Sequence, residues 1–203
     1  MGGTAGDTAA GRREEPASGQ ADRDREALIR LLLARSVERG DFVLASGQRS
    51  SYYIDCRKAT MSAEGQGLIG RLGFQAIRRA DWAAHAVGGL TMGADPVAYA
   101  VAAASWGSPQ VLDAFSVRKE AKAHGTGRQI EGNFAAGVRV VVVEDVITSG
   151  GSAFKAIGAV ESAGGHVVGV LALVDREQGG RQALEDAGYR VVTLLTTTDL
   201  GLR

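Results

Sequence analysis

The run Val140-Val141-Val142-Val143 constrains this chain more than any other segment, because four consecutive β-branched residues suit a buried strand and little else. Two carboxylates, Glu144 and Asp145, follow it directly. Val146 and Ile147 come next, then a loop of Thr148, Ser149, Gly150 and Gly151 that opens a helix at Ser152. A central strand that ends in an acid pair, a small polar loop and a helix is expected to hold an anion beside a diol. Glycines at 150 and 151 let backbone N–H groups approach a phosphate, the hydroxyls of Thr148, Ser149 and Ser152 add donors, and the helix N-terminus contributes partial positive charge. No Lys follows, so this is not a Walker A loop. Carboxylates just upstream would repel a phosphate bound to them directly, yet they can accept hydrogen bonds from ribose hydroxyls. The expected ligand is therefore a sugar phosphate. The bland alternative is an ordinary strand-to-helix turn with an Asp cap.

The segments around this motif alternate in kind. Leu28, Leu31, Leu32, Arg35 and Val37 share one helical face in a helix expected from Asp22, with Gly40 as its stop. Phe42–Ala45 and Tyr52–Asp55 flank the turn Ser46-Gly47-Gln48 and read as a hairpin. Leu68, Leu72 and Ile77 mark a second helix ending near Ala80. After these, the apolar runs at His85–Leu90, Val111–Val117, Val138–Val143, Val167–Val174 and Val191–Leu195 read as strands. Helices are expected between them at Pro96–Ser105, with Asp95 as N-cap, at Ser152–Ala163 and at Gln182–Ala187. Such alternation predicts an α/β fold with a central, mainly parallel sheet covered by helices on both faces, and ligands of such sheets bind at the C-terminal edge.

With 203 residues, one domain accounts for the chain. Residues 1–21 lack apolar period and are expected to be a disordered extension, with one domain at 22–203. Lys plus Arg and Asp plus Glu are both 23, so the net charge is zero and no nucleic-acid or membrane partner is expected. The longest near-apolar stretch, 96–106, falls short of the ~20 residues that a membrane span requires. The single Cys56 excludes an internal disulfide and fits a reducing, cytoplasmic setting. One decoy is set aside: Gly65-Gln66-Gly67-Leu68-Ile69-Gly70 matches the dinucleotide fingerprint but follows no buried strand, so its glycines are expected to serve helix packing. His85 and His166 are read as structural.

A second segment carries chemistry. Arg118, Lys119, Lys122 and His124 fall within seven residues, followed by Gly125 and Gly127, and no apolar face holds them down. This suits a basic lid that closes over a polyphosphate, against the alternative of a solvated surface loop.

Together these residues resemble the orotate phosphoribosyltransferases of the type I phosphoribosyltransferase family, over about Asp22 to Arg203. Val142 to Ser152 is similar to the phosphoribosyl diphosphate signature of that whole family. Arg118-Lys119-Glu120-Ala121-Lys122 with His124-Gly125 resembles the catalytic loop of the orotate branch, and Phe42, Leu44, Ser46-Gly47 and Ser51-Tyr52-Tyr53 resemble its N-terminal hood, about residues 22–60. The resemblance implies transfer of phosphoribosyl from phosphoribosyl diphosphate to orotate in UMP synthesis, giving orotidine 5′-monophosphate and pyrophosphate. Arg118, Lys119, Lys122 and His124 would then face the leaving pyrophosphate, with Lys122, Arg118, His124 and Asp145 central to catalysis. Glu144 and Asp145 would hold the ribose hydroxyls, and Val146 to Ser152 the 5′-phosphate. Thr148, Tyr53 and Arg176 would meet orotate, with Arg176 on its carboxylate. The resemblance also implies Mg²⁺ bridging substrate oxygens, with no side chain assigned as a metal ligand, and a homodimer whose subunits share active sites. Two departures stand out: relatives carry Lys where Ala45 stands, a contact that Arg57 or Lys58 would have to supply, and Lys near Met92, where backbone N–H groups would serve instead. The rival readings are a purine or uracil phosphoribosyltransferase and a regulator that senses phosphoribosyl diphosphate while binding nucleic acid.

Overall fold

The computed structural model describes residues 17–43, 49–120 and 129–202. Helix α1 (Ala17–Arg35) leads into an antiparallel hairpin of β1 (Val37–Val43) and β2 (Arg49–Ile54). A short α2 (Arg57–Thr60) and the longer α3 (Ala63–Arg79) follow. The chain then builds β3 (Ala86–Leu90), α4 (Ala94–Ser105), β4 (Asp113–Val117), β5 (Ile130–Gly132), β6 (Arg139–Ile147), α5 (Gly151–Ser162), β7 (His166–Asp175), α6 (Gly180–Asp186) and β8 (Val191–Thr196). The main sheet runs β5-β4-β3-β6-β7-β8, parallel throughout except for the antiparallel edge pair β4/β5. The expected parallel α/β sheet is thus present, and its strand order reverses between β3 and β6. That switch point opens a crevice at the C-terminal ends of both strands.

Strand alternation explains why the valine run is central. Val141 and Val143 of β6, with Leu171 and Leu173 of β7, pack under α1, α3 and α4, while Val140, Val142, Val170 and Ala172 pack against α5 and Leu184 of α6. All eight are fully buried, each larger side chain contributing about 1.5–3 kcal/mol by burial.

Several boundaries differ from expectation for identifiable reasons. Helix α1 starts at Ala17, five residues before Asp22, so the end of the expected disordered stretch 1–21 is helical; Gln20 donates to Asp24 one turn on (2.8 Å). Asp24 also receives a fork from Arg71 of α3 (2.7 and 3.0 Å), which holds its carboxyl below the usual range. Gly40 does not stop the helix, which ends at Arg35. It lies in β1, where the pairing register shifts between Arg39 and Phe42, so it belongs to a bulge. The turn residues Ser46 and Gly47, with Ala45, lie outside the described residues. Asp95 is not an N-cap: α4 begins at Ala94, and the Asp95 carboxylate accepts from the Thr91 hydroxyl (2.6 Å). Strand β5 and helix α2, too short to leave a periodic signal, were not anticipated.

The dinucleotide decoy resolves as expected. A Cβ on Gly65 would stand 2.0 Å from the Ala59 carbonyl oxygen, and one on Gly70 2.5 Å from that of Ala100. Both glycines let α3 lie close to its neighbours. No helix among the described residues is long and apolar enough to cross a membrane.

Candidate active site

The site is built at the C-terminal edge of the sheet, where β6 delivers its acid pair. Glu144 is buried, and its Oε2 has no hydrogen-bond partner. Burial first, and then the charge of adjacent Asp145, push its carboxyl up to about 9. Glu144 therefore keeps its proton at neutral pH, and a neutral carboxyl can donate to a ribose hydroxyl as well as accept from one. Asp145 accepts from the Val146 amide (2.9 Å) and sits against the loop after β3, where a Cβ on Gly93 would come within 2.6 Å of its carboxylate. The Thr91-Met92 peptide of that loop is cis.

The loop Thr148–Gly150 then turns into α5. Gly150 occupies the left-handed region at φ +81° and stands at the N-cap of α5 without any side-chain cap. The first amides of α5 are thus aimed outward. Glu144, Val146–Ala153 and Lys155 line a cavity of about 280 Å³, which joins all of the cradle residues expected from sequence except Asp145. Gly180 packs against this loop: its amide donates to the Thr148 carbonyl (3.0 Å), and a Cβ there would stand 2.5 Å from that oxygen.

Beside the cradle stands Arg176, the residue that follows β7. Its amide donates to the Ile147 carbonyl (2.9 Å), which fastens the end of β7 to the end of β6. The side chain is only 8% exposed, yet Nε and Nη2 have no partner. Tyr52 of β2 lies over the guanidinium, 5.1 Å from Cζ to ring centroid. A buried cation costs several kcal/mol unless an anion meets it, so this pocket suits a carboxylate that can take both free N–H groups.

Tyr53, expected to meet orotate, is not the tyrosine that covers Arg176; Tyr52 is. The ring of Tyr53 instead packs on Phe42 (centroids 5.8 Å apart) and is 40% exposed. Period-two alternation held the signal, because Tyr52 shares its strand face with buried Ile54. Of the basic segment, Arg118 is paired with Glu131 of β5 (3.1 Å), both half-buried, and Lys119 is exposed. Lys122 and His124 lie outside the described residues. Arg57 and Lys58, considered as substitutes at Ala45, are paired with Asp55 (2.8 Å) and Glu38 (2.6 Å). Among the described residues, no three His, Cys, Asp or Glu side chains stand together as a metal cage.

No protein-family model matches the chain. It is 43% identical over 189 residues to an orotate phosphoribosyltransferase of Rhodopirellula baltica, covering 91% of this chain and 98% of that protein. The crystal structure of Mycobacterium tuberculosis orotate phosphoribosyltransferase with Fe(III) dicitrate superposes with TM-score 0.78 at 47% identity, covering 88% of this chain and 99% of the other. The same enzyme in complex with 5-phospho-α-D-ribosyl 1-diphosphate gives TM-score 0.73 at 43% identity, over 88% and 99% of the two chains.

Proposed function

Because the chain belongs to the orotate phosphoribosyltransferase family, we infer that it transfers the phosphoribosyl group of 5-phosphoribosyl 1-diphosphate to orotate, yielding orotidine 5′-monophosphate and pyrophosphate in pyrimidine synthesis. The observation that carries the acceptor is buried Arg176, with two unpartnered N–H groups beside the cradle. A carboxylate on a flat ring meets that fork, and Tyr52 covers the guanidinium. Adenine, guanine and uracil have no carboxylate to offer.

The donor occupies the cradle. Backbone amides at Ser149–Ser152 and the hydroxyls of Thr148, Ser149 and Ser152 hold the 5′-phosphate, with Glu144 and Asp145 at the ribose hydroxyls. As the bond between ribose C1 and pyrophosphate oxygen breaks, C1 gains positive charge and pyrophosphate leaves with the electron pair. The orotate ring nitrogen then bonds to C1 and gives up its hydrogen as a proton, which the departing pyrophosphate takes. This needs electrostatic stabilisation and exclusion of water more than a protein nucleophile. Lys122, with Arg118, Lys119 and His124, meets the leaving charge; the half-buried Arg118–Glu131 pair, still open to solvent and worth about 1 kcal/mol, yields to pyrophosphate.

Mg²⁺ fits this site, since the side chains at hand offer hard oxygen donors, Asp145 and hydroxyls, but too few for a protein-only cage. Held on the protein side through Asp145, it would neutralise the negative charge that develops on the leaving group. The unit that carries the reaction is residues 22–203, with the hood at about 22–60 supplying Tyr52. The buried free thiol of Cys56 fits a reducing cytoplasm. Two copies form a homodimer in which the basic segment of one subunit serves the cradle of the other. Mixing inactive Lys122→Ala and Asp145→Asn subunits under exchange should restore roughly a quarter of normal activity, whereas no recovery sinks shared sites. The direct test of function follows orotate absorbance. Loss should require both phosphoribosyl diphosphate and Mg²⁺, and comparable turnover of uracil or a purine base would overturn the assignment.

A further inference from the structure

The chain must turn abruptly after β7 to bring Arg176 under Tyr52, and the residue at that turn is unusual. Glu177 adopts φ +57°, the left-handed region that non-glycine residues seldom occupy and that Asn or Asp tolerates better. Something beyond local preference must hold it. The Glu177 amide donates to Asp175 Oδ1 (2.8 Å), and Asp175 is itself buried. Its side chain reaches across to the turn after β8, where Oε2 accepts from the Thr198 amide (2.7 Å), the Thr198 hydroxyl (2.7 Å) and the Thr197 hydroxyl (2.8 Å). The same Thr197 hydroxyl lies 3.2 Å from the Arg176 carbonyl, so its one hydrogen is shared between the two.

That turn is firm. Thr197 is 3% exposed, and its amide donates to the Asp175 carbonyl (2.9 Å). Asp199 accepts from the Thr196 amide (2.8 Å) and is bound in turn by Arg25 of α1 (2.7 Å). The backbone of Arg176 is therefore gripped on one side by Ile147 and on the other by the threonine turn, with Glu177 as the clasp.

We propose that Glu177 is a positioning residue for orotate: its carboxylate, held by Thr197 and Thr198, fixes the direction in which the Arg176 guanidinium enters the site. The proposal rests on the reading of Arg176 as the orotate contact. A residue that merely closed the β8 turn would alter stability and all kinetic constants together. A positioning residue alters the orotate requirement, because a fork displaced by a fraction of its bond length loses one of two parallel hydrogen bonds.

The test compares steady-state constants of Arg176→Ala, Glu177→Ala, Glu177→Gln, Thr197→Val and the Arg176→Ala/Glu177→Ala double variant. Glu177→Ala should raise the KM for orotate roughly tenfold, with the KM for phosphoribosyl diphosphate and kcat within about twofold. Glu177→Gln, whose amide oxygen accepts the same bonds, should restore the orotate KM to within about threefold. Thr197→Val should shift the same constant in the same direction, and it decides the matter alone if Glu177→Ala does not fold. The double variant should be no worse than Arg176→Ala, as expected when one residue acts through the other. An unchanged orotate KM in Glu177→Ala, an equal change in both KM values, or a double variant with fully multiplied losses overturns the inference. If Arg176→Ala itself leaves the orotate KM unchanged, the reading of Arg176 fails first.

Discussion

Helix α3 and the loop that opens α5 are both glycine-rich, both begin a helix, and both match or resemble a phosphate-binding pattern, yet their glycines do opposite things. In α3, Gly65 and Gly70 let backbone lie against backbone, with the Ala59 and Ala100 carbonyl oxygens where a Cβ would have to go. The N-cap of α3 is closed by Ser62, whose hydroxyl accepts from the Gly65 amide (3.1 Å). At α5 the glycine at the N-cap has no side-chain cap, and the neighbouring Glu144 carboxyl is left buried with an oxygen unpartnered. One helix start is closed by its own serine, and the other is left uncapped beside an unpartnered carboxyl oxygen.

The sharpest break of that comparison is Gly65→Ala. A Cβ 2.0 Å from a carbonyl oxygen forces two elements apart, so stability should fall by about 3 kcal/mol or more, a drop in Tm of roughly 6–12 °C. Thermal unfolding measures this, and the molecules that remain folded should keep their kcat. A Tm within a degree or two would show that α3 has slack. Next comes Gly180→Ala against the cradle loop, whose new methyl would press on the Thr148 carbonyl and the Gly150 amide. Its main effect should be on the donor, roughly a hundredfold in kcat/KM for phosphoribosyl diphosphate, with the orotate KM little changed. A pure stability loss with normal kinetics would make this glycine equivalent to Gly65.

Glu144→Gln tests the unspent groups from the other direction. The carboxyl titrates near 9 in the folded chain and near the ordinary Glu value when unfolded, so folded molecules bind the extra proton between those values. Stability from this group is intact at pH 4 and declines as pH rises toward 9. Replacement by a neutral amide should therefore stabilise the protein at pH 8 by about 1–2 kcal/mol and hardly at all at pH 4.5, while lowering activity. Equal stabilisation at both pH values would refute the cause given. The smallest effect belongs to the edge, where Arg118 is satisfied by Glu131. Glu131→Gln should lower the KM for phosphoribosyl diphosphate by roughly two- to threefold, since a half-buried pair open to solvent competes only weakly with pyrophosphate. A higher KM would mean that the pair aligns Arg118 rather than withholding it.

Sequence by itself determined the parallel sheet, because an apolar run such as Val140–Val143 has only one low-energy setting, a strand covered on both faces. It also determined the cradle, since strand, acid pair, small polar loop and helix are contiguous and their geometry follows from local backbone rules. Even the fingerprint in α3 could be discarded on local grounds, for want of a strand before it. The short elements β5 and α2 escaped, as did the bulge at Gly40, because each exists only through a partner strand or a neighbouring helix. Tertiary structure alone decided which tyrosine covers Arg176, that this guanidinium is buried with unmet donors, and that Glu177 is clasped by threonines some twenty residues away. Those facts depend on contacts between segments far apart in the chain, and no local preference encodes them. A residue type announces what chemistry it can do, but burial and the direction of its neighbours decide whether that capacity is spent inside the fold or left for a substrate.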